Sequence, residues 1–328
     1  MTLNVLFIGG TGQISLSCVE AAVAAGHRVT VYNRGTTAAT LPDGVATVGG
    51  DLNDDSQYRA EAAKRYDVVC QFIAFTAEQV RRDLAVFRGQ TAQYVFISSA
   101  SAYKKPVDVW PITEDVPLVN PYWEYSRRKA EAEAAIVGQD AVPYTIVRPS
   151  HTVRTQLPTA LSERDHAATR MRLSLPVIVP GDGTSLWTLT RSEDLAVPFV
   201  GLFGKPAALG EAFHITSDRA FTWDQIYAAI GRGVGAQPDI VHVPTDSLVR
   251  FDPEWTGPLL GDKVHSVVFD NSKVRAVAGD FACAESLDAI LAEPLRCYRQ
   301  RTAGVAPARI ALDDKLDVIV AAQRAVGA

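Results

Sequence analysis

The chain has 328 residues, 47% of them hydrophobic and 21% charged, with a formal net charge of −5, enough length for one large α/β domain or two smaller ones with a sizeable core. The mild acidity leaves no electrostatic footprint for nucleic acid, and no apolar run approaches the roughly 18 residues that cross a membrane. No basic-then-apolar leader is recognisable either, so a cytoplasmic enzyme is the expectation.

Val5–Ile8 is a short apolar run of β type that enters G-G-T-G-Q-I-S at 9–15, and an apolar-periodic segment follows from Ile14 to Ala25. This order predicts a first strand, a phosphate-binding turn and a helix. Gly9 allows a tight exit from the strand, Gly12 lets the backbone come close to a pyrophosphate, and the amides of the helix start favour anions. Ser15 stands where the third glycine of such a turn is usual.

A second strand is expected at Arg28 to Tyr32, ending in Asn33-Arg34-Gly35. An acidic residue at this place would accept hydrogen bonds from a ribose 2′-hydroxyl. Asn33 and Arg34 instead suit a 2′-phosphate, which a guanidinium engages with two parallel bonds, so NADP(H) is the expected cofactor and NAD the alternative. A third strand, Ala46 to Gly49, leads to Asp51, placed to accept from an adenine amino group, and Asp54 or Asp55 can cap a helix starting near Ser56.

The run Val68 to Ala74 reads as a central strand buried on both faces. A helix over 77–89 and a strand from Tyr94 to Ser98 come next. Strands alternating with helices at this spacing predict an α/β fold with a doubly wound parallel sheet. At the end of the fifth strand lies S-S-A-S-A-Y at 98–103, and Tyr125 and Lys129 then share one face of a helical segment running to Val137. An ammonium near a tyrosine hydroxyl favours the phenolate, which makes an acid/base of the tyrosine, while a serine hydroxyl opposite can bind a substrate oxygen.

Taken together, G-G-T-G-Q-I at 9–14, G-D-L at 50–52, S-S-A-S-A-Y, Y-S-R-R-K at 125–129 and R-P-S-H at 148–151 resemble the short-chain dehydrogenase/reductase superfamily. The resemblance is to its extended branch of NAD-dependent epimerase/dehydratase-like proteins. It implies a Rossmann-type sheet with a smaller C-terminal substrate-binding lobe. Tyr125 is implied as acid/base, Lys129 as its pKa-lowering partner and holder of the nicotinamide ribose, and Ser99 as the substrate-orienting hydroxyl. Gly9, Thr11, Gly12, Gln13, Ile14, Asn33, Arg34, Asp51 and Leu52 complete the implied cofactor site. The family often dimerises through the two helices matching 77–89 and 123–137, so a homodimer is a further expectation.

Residues 1–155 are assigned to the dinucleotide-binding part, with 191–216 and about 264–270 returning to it. Residues 156–190 and 217–328 are assigned to the substrate lobe. Within the lobe the sequence predicts a strand at Phe213 to Thr216 that rejoins the sheet. It also predicts a helix at Gln225 to Ile230 stopped by glycines 231, 233 and 235, and a short strand at Ser266 to Phe269. Candidate substrate contacts are Ser101, His151 and Trp187, and Trp223 and Trp255 are further pocket candidates.

His151 replaces the asparagine usual after the arginine turn of sugar-nucleotide epimerases, and Leu186-Trp187 stand where those enzymes often clamp a diphosphate with arginine. The expected reaction is therefore hydride transfer between a nicotinamide and a carbonyl or hydroxyl carbon of a small molecule. Epimerisation or dehydration of a sugar or sugar nucleotide with retained cofactor is the alternative. A non-catalytic RNA-binding role, as in chloroplast stem-loop-binding members of the fold, is the third reading. No metal-ligand spacing is present, and Cys18, Cys70, Cys283 and Cys297 read as reduced thiols.

Overall fold

A computed structural model describes residues 1–36, 39–52, 54–161 and 164–326. Its first half alternates strand and helix: β1 (Asn4–Ile8), α1 (Ser15–Ala24), β2 (Arg28–Asn33), β3 (Ala46–Gly49), α2 (Asp55–Ala62), β4 (Tyr66–Gln71), α3 (Ala77–Phe87), β5 (Thr91–Ile97), α4 (Glu124–Val137) and β6 (Tyr144–Pro149). Shorter pieces follow: β7 (His151–Val153), α5 (His166–Arg172), β8 (Val177–Pro180), β9 (Leu186–Arg191), α6 (Ser192–Gly201), β10 (Glu211–Ile215), β11 (Ala220–Thr222), α7 (Trp223–Val234), β12 (Ile240–Val243), α8 (Thr245–Phe251) and the single turn α9 (Thr256–Pro258). Three helices close the chain: α10 (Ser272–Ala278), α11 (Leu287–Arg301) and α12 (Ala311–Val326).

The expected doubly wound sheet forms. Seven parallel strands stand in the order β10-β6-β5-β4-β1-β2-β3, with Val5, Leu6, Phe7 and Ile8 of β1 fully buried at its centre. Winding reverses between β1 and β4, so the loops leaving these strands diverge and open a crevice at their carboxyl ends. The predicted late strand is β10, paired with β6 at the sheet edge. Two small sheets, β11-β9-β7 and β12-β8, build the rest around a second core holding Trp187, Trp223 and Ile226.

Three expectations are corrected. β4 stops at Gln71, because the Gln71 Oε1 accepts from the Ile73 amide at 2.8 Å and bends the chain out of the sheet. α7 runs through Gly231 and Gly233 and ends at Gly235, whose φ is +72°. The first two glycines serve close packing: an added Cβ would stand 2.7 Å from the Ala236 carbonyl or 2.2 Å from Leu295. Residues 266–269 form no strand, and segment 264–270 does not return to the seven-stranded sheet. Val267 instead bonds to Leu186 of β9, and Phe269 makes a single bridge to Ile112.

Candidate active site

The glycine turn occupies the crevice. Gly9 sits at φ +84°, with Ile73 so close that an added Cβ would lie 2.5 Å from it, and Ser15 Oγ accepts from the Gly12 amide at 2.8 Å. Ser15 thus braces the turn from inside the helix start, a job a glycine could not do. Asn33 Oδ1 accepts from the Gly35 amide at 2.8 Å and shapes the loop that carries Arg34, and Tyr32 donates to the Asp51 carbonyl at 3.2 Å. Asp54 caps α2. Gly9, Thr11, Gly12, Gln13, Asn33, Arg34, Asp51 and Leu52 line one cavity of about 610 Å³.

A second cavity of about 320 Å³ continues it, sharing Gly9, Gly12, Gln13, Ile73 and Phe75 and adding Ile14, Ser99, Tyr125 and Lys129. Lys129 is almost wholly buried. Its ammonium donates to the Ala74 and Ile97 carbonyls at 2.9 and 2.8 Å, between the Phe75 and Phe96 rings at 4.7 and 4.8 Å. Burial pulls its pKa down to about 7, opposed by Glu133.

Tyr125 differs from expectation. Its pKa lies above the ordinary tyrosine value, raised by burial first and by the Asp262 carboxyl, while a hydrogen bond with Ser99 pulls the other way. Lys129, occupied with two backbone carbonyls, is not among the groups acting on it. Ser99 Oγ also contacts Ser101 Oγ at 2.9 Å, and Ser101 Oγ contacts Ser126 Oγ at 2.7 Å, so a hydroxyl chain runs from β5 into α4.

The third cavity, about 340 Å³, shares Ser99, Tyr125, Pro149 and Ser150 with the second and adds Ser101, Trp123, His151, Asp262, Val267 and Phe269. His151 starts β7 directly after β6, where the chain passes from the large sheet to the lobe. Burial, helped by Lys263, lowers its pKa to about 3, so the imidazole is neutral at pH 7. Trp187 does not line this pocket. It is fully buried behind His151, rings 6.1 Å apart, and stacks on Trp223 at 5.4 Å in the second core. Trp223 donates from its indole to the Lys263 carbonyl, and Trp255 packs on Lys315, so the tryptophan that lines the pocket is Trp123.

Sequence reasoning found no carboxyl near Ser99; folding brings one there as Asp262. It lies on a π-helical turn, Leu259–Lys263, far along the chain from Tyr125 and with no motif around it. The buried Asn120 joins these walls: its amide donates to the Ser101 and Gly261 carbonyls at 2.8 and 2.6 Å, and its carbonyl accepts from Tyr122 and Trp123 at 3.2 Å.

Residues 9–171 match the family described as NAD(P)H-binding. The chain carries an NAD(P)H-binding domain on a sheet of the short-chain dehydrogenase/reductase fold. Among similar proteins is 2′-dehydrokanamycin reductase of Streptomyces kanamyceticus, 26% identical over 80% of this chain and 73% of that protein. Chloroplast stem-loop binding protein of 41 kDa b of Arabidopsis thaliana is 28% identical over 73% of this chain and 65% of its own length. The fold matches a short-chain dehydrogenase/reductase superfamily protein of Agrobacterium tumefaciens solved with bound NAD. Its TM-score is 0.71 at 21% identity, and the match covers 92% of this chain and 98% of that one.

Proposed function

We propose that the protein is an NADP(H)-dependent oxidoreductase that interconverts a carbonyl and a hydroxyl group on a small molecule, with Tyr125 moving the proton. The observation that carries this reading is the continuity of the three cavities, from Arg34 through Lys129 and Tyr125 to His151 and Asp262. Among the described residues, the glycine turn, the Asn33-Arg34 loop and Asp51-Leu52 border a space whose size and chemistry suit a dinucleotide. In this assignment Gly9, Thr11, Gly12, Gln13 and Ile14 hold the pyrophosphate, Asn33 and Arg34 take the ribose 2′-phosphate, Asp51 and Leu52 take the adenine, and Lys129 holds the nicotinamide ribose. Bound there, the cofactor supplies the hydride.

The Tyr125 phenol is protonated at neutral pH, so in the reducing direction it can give its proton to the carbonyl oxygen as the hydride arrives. Ser99 orients the substrate oxygen and, through its hydrogen bond, stabilises the phenolate left after the proton has gone. The reductase relative supports the same direction. We assign the lobe of 156–190 and 217–328 to substrate binding. Asp262 supports a second reading, epimerisation or dehydration with retained cofactor, because it provides a second proton carrier in the pocket that Tyr125 lines. The net charge of −5 counts against a role in RNA binding.

The test is to denature the purified protein, identify any nucleotide released, and titrate the emptied protein with NADPH and NADH. Reversible binding that prefers NADPH supports the reductase. A stoichiometric, tightly held nucleotide favours the second reading, and binding of neither rejects both.

A further inference from the structure

We propose that Asp262 selects substrates carrying a hydroxyl or amino donor and rejects anionic ones, its carboxylate accepting from that donor across the pocket from Tyr125. This rests on the reductase reading of the site and names the class of substrate it takes. Of the described residues lining the 340 Å³ cavity, Asp262 alone is ionisable at neutral pH in its charged form. None is a lysine or arginine, and Ser99, Ser101, Ser150, Tyr125 and the neutral His151 supply the other polar atoms. A phosphate or carboxylate entering here would meet a fixed negative charge and no countercharge. A donor group would meet an acceptor beside an aromatic ring.

The position of that acceptor is built into the fold. Gly261 lies so close to Trp123 that an added Cβ would stand 2.6 Å from the Trp123 Cβ, which fixes the backbone of Asp262 against the start of α4, and Asp262 and Trp123 line the same cavity. Asn120 ties the Gly261 carbonyl to the Ser101 segment and to the start of α4. A carboxylate beside an aromatic ring is suited to an ammonium, which gains from both, and to a hydroxyl, which gains from the first.

The ionisable groups that act on or beside Asp262 include Tyr125, Lys105, Lys263, His151 and His265, whose amide donates to the Asp262 carbonyl at 3.2 Å and whose own pKa is lowered by burial. Lys105 and Lys263 favour the carboxylate from outside the cavity, and burial opposes them, leaving the group with a pKa of about 6. Selection by charge therefore belongs to the pH range above 6.

The experiment uses three cyclohexanones bearing an amino, a hydroxyl or a carboxylate group opposite the carbonyl. Their binding to the full chain is measured by calorimetry, with and without NADP, and their reduction by loss of NADPH absorbance. At pH 7.5 the amino and hydroxyl ketones should bind on the order of tenfold tighter than the carboxylate, as expected for a hydrogen bond to a charged group. Asp262→Asn should shrink that preference to roughly threefold or less, and so should lowering the wild-type protein to pH 5. The pH arm needs no variant. Equal or tighter binding of the carboxylate, an unchanged preference in Asp262→Asn, or binding of none of the three would overturn the proposal. NADPH titration of the same samples reports separately on the oxidoreductase reading: intact NADPH binding without charge selection removes Asp262 alone, and absent NADPH binding removes that reading.

Discussion

Arg148 at the end of β6 grips Glu133 of α4 through Nε at 3.0 and 3.1 Å and through Nη2 at 2.6 Å, with both side chains buried. Its Nη1 donates to the Tyr103 hydroxyl at 3.2 Å, which in turn meets His214 Nδ1 at 3.0 Å. The arginine of the Arg-Pro turn therefore fixes the helix that carries Tyr125 and Lys129 rather than reaching the cleft.

Breaking this pair leaves a buried charge without its partner. Glu133→Gln should cost roughly 3–5 kcal/mol of stability, read from urea unfolding midpoints. A loss within experimental error would mean that water already reaches the pair.

Tyr125→Phe removes the proton donor while keeping the ring against Trp123, 5.0 Å away. Turnover should fall by about 10²–10⁴-fold, with NADPH affinity nearly unchanged. Retained turnover would move the proton transfer to another group, with Asp262 of the same cavity the candidate.

The crevice at the glycine turn was legible because its layout is local. A glycine turn, Asn33-Arg34 and Asp51 each follow a strand within a few residues, and parallel strands must all deliver their ends to one edge. The same argument located Ser99, Tyr125 and Lys129 on the sheet edge and α4. It failed for Asp262, Asn120 and Trp123, because what brings them together is packing between distant loops: Asn120 bonds to Ser101, Gly261 and Trp123, which no periodicity or motif links. Trp187 failed for the opposite reason. A large aromatic reads equally as pocket or core, and stacking on Trp223 decides for core. Lys129 shows a third limit, since helix spacing put it near Tyr125 but could not reveal that two backbone carbonyls hold its ammonium.

Arg34→Ala tests cofactor choice. Arg34 lies on the exposed loop shaped by Asn33 and borders the 610 Å³ cavity. Losing a charge-assisted pair with a 2′-phosphate should weaken NADPH by on the order of tenfold or more. NADH lacks that phosphate and should change little in a fluorescence titration. Equal weakening of both would show that Arg34 does not read the 2′-phosphate.

The pocket also predicts an acid response. Burial and Lys263 lower the His151 pKa from 6.5 to about 3, so between those values the unfolded chain holds more of this proton than the folded one. Stability from keeping His151 neutral is complete above pH 6.5 and is lost as pH falls toward 3. Asp262 works in the opposite sense: its pKa is raised from 3.8 to about 6, so between those values the folded chain binds more of its proton and stability falls as pH rises. The two slopes oppose each other in the wild type, and removing one should expose the other. Urea midpoints of His151→Asn should therefore decline less than those of the wild type between pH 7 and pH 4.5, and those of Asp262→Asn should decline more. Parallel curves for His151→Asn and wild type would mean that the imidazole titrates in the folded protein as it does in water, and that solvent enters the pocket floor.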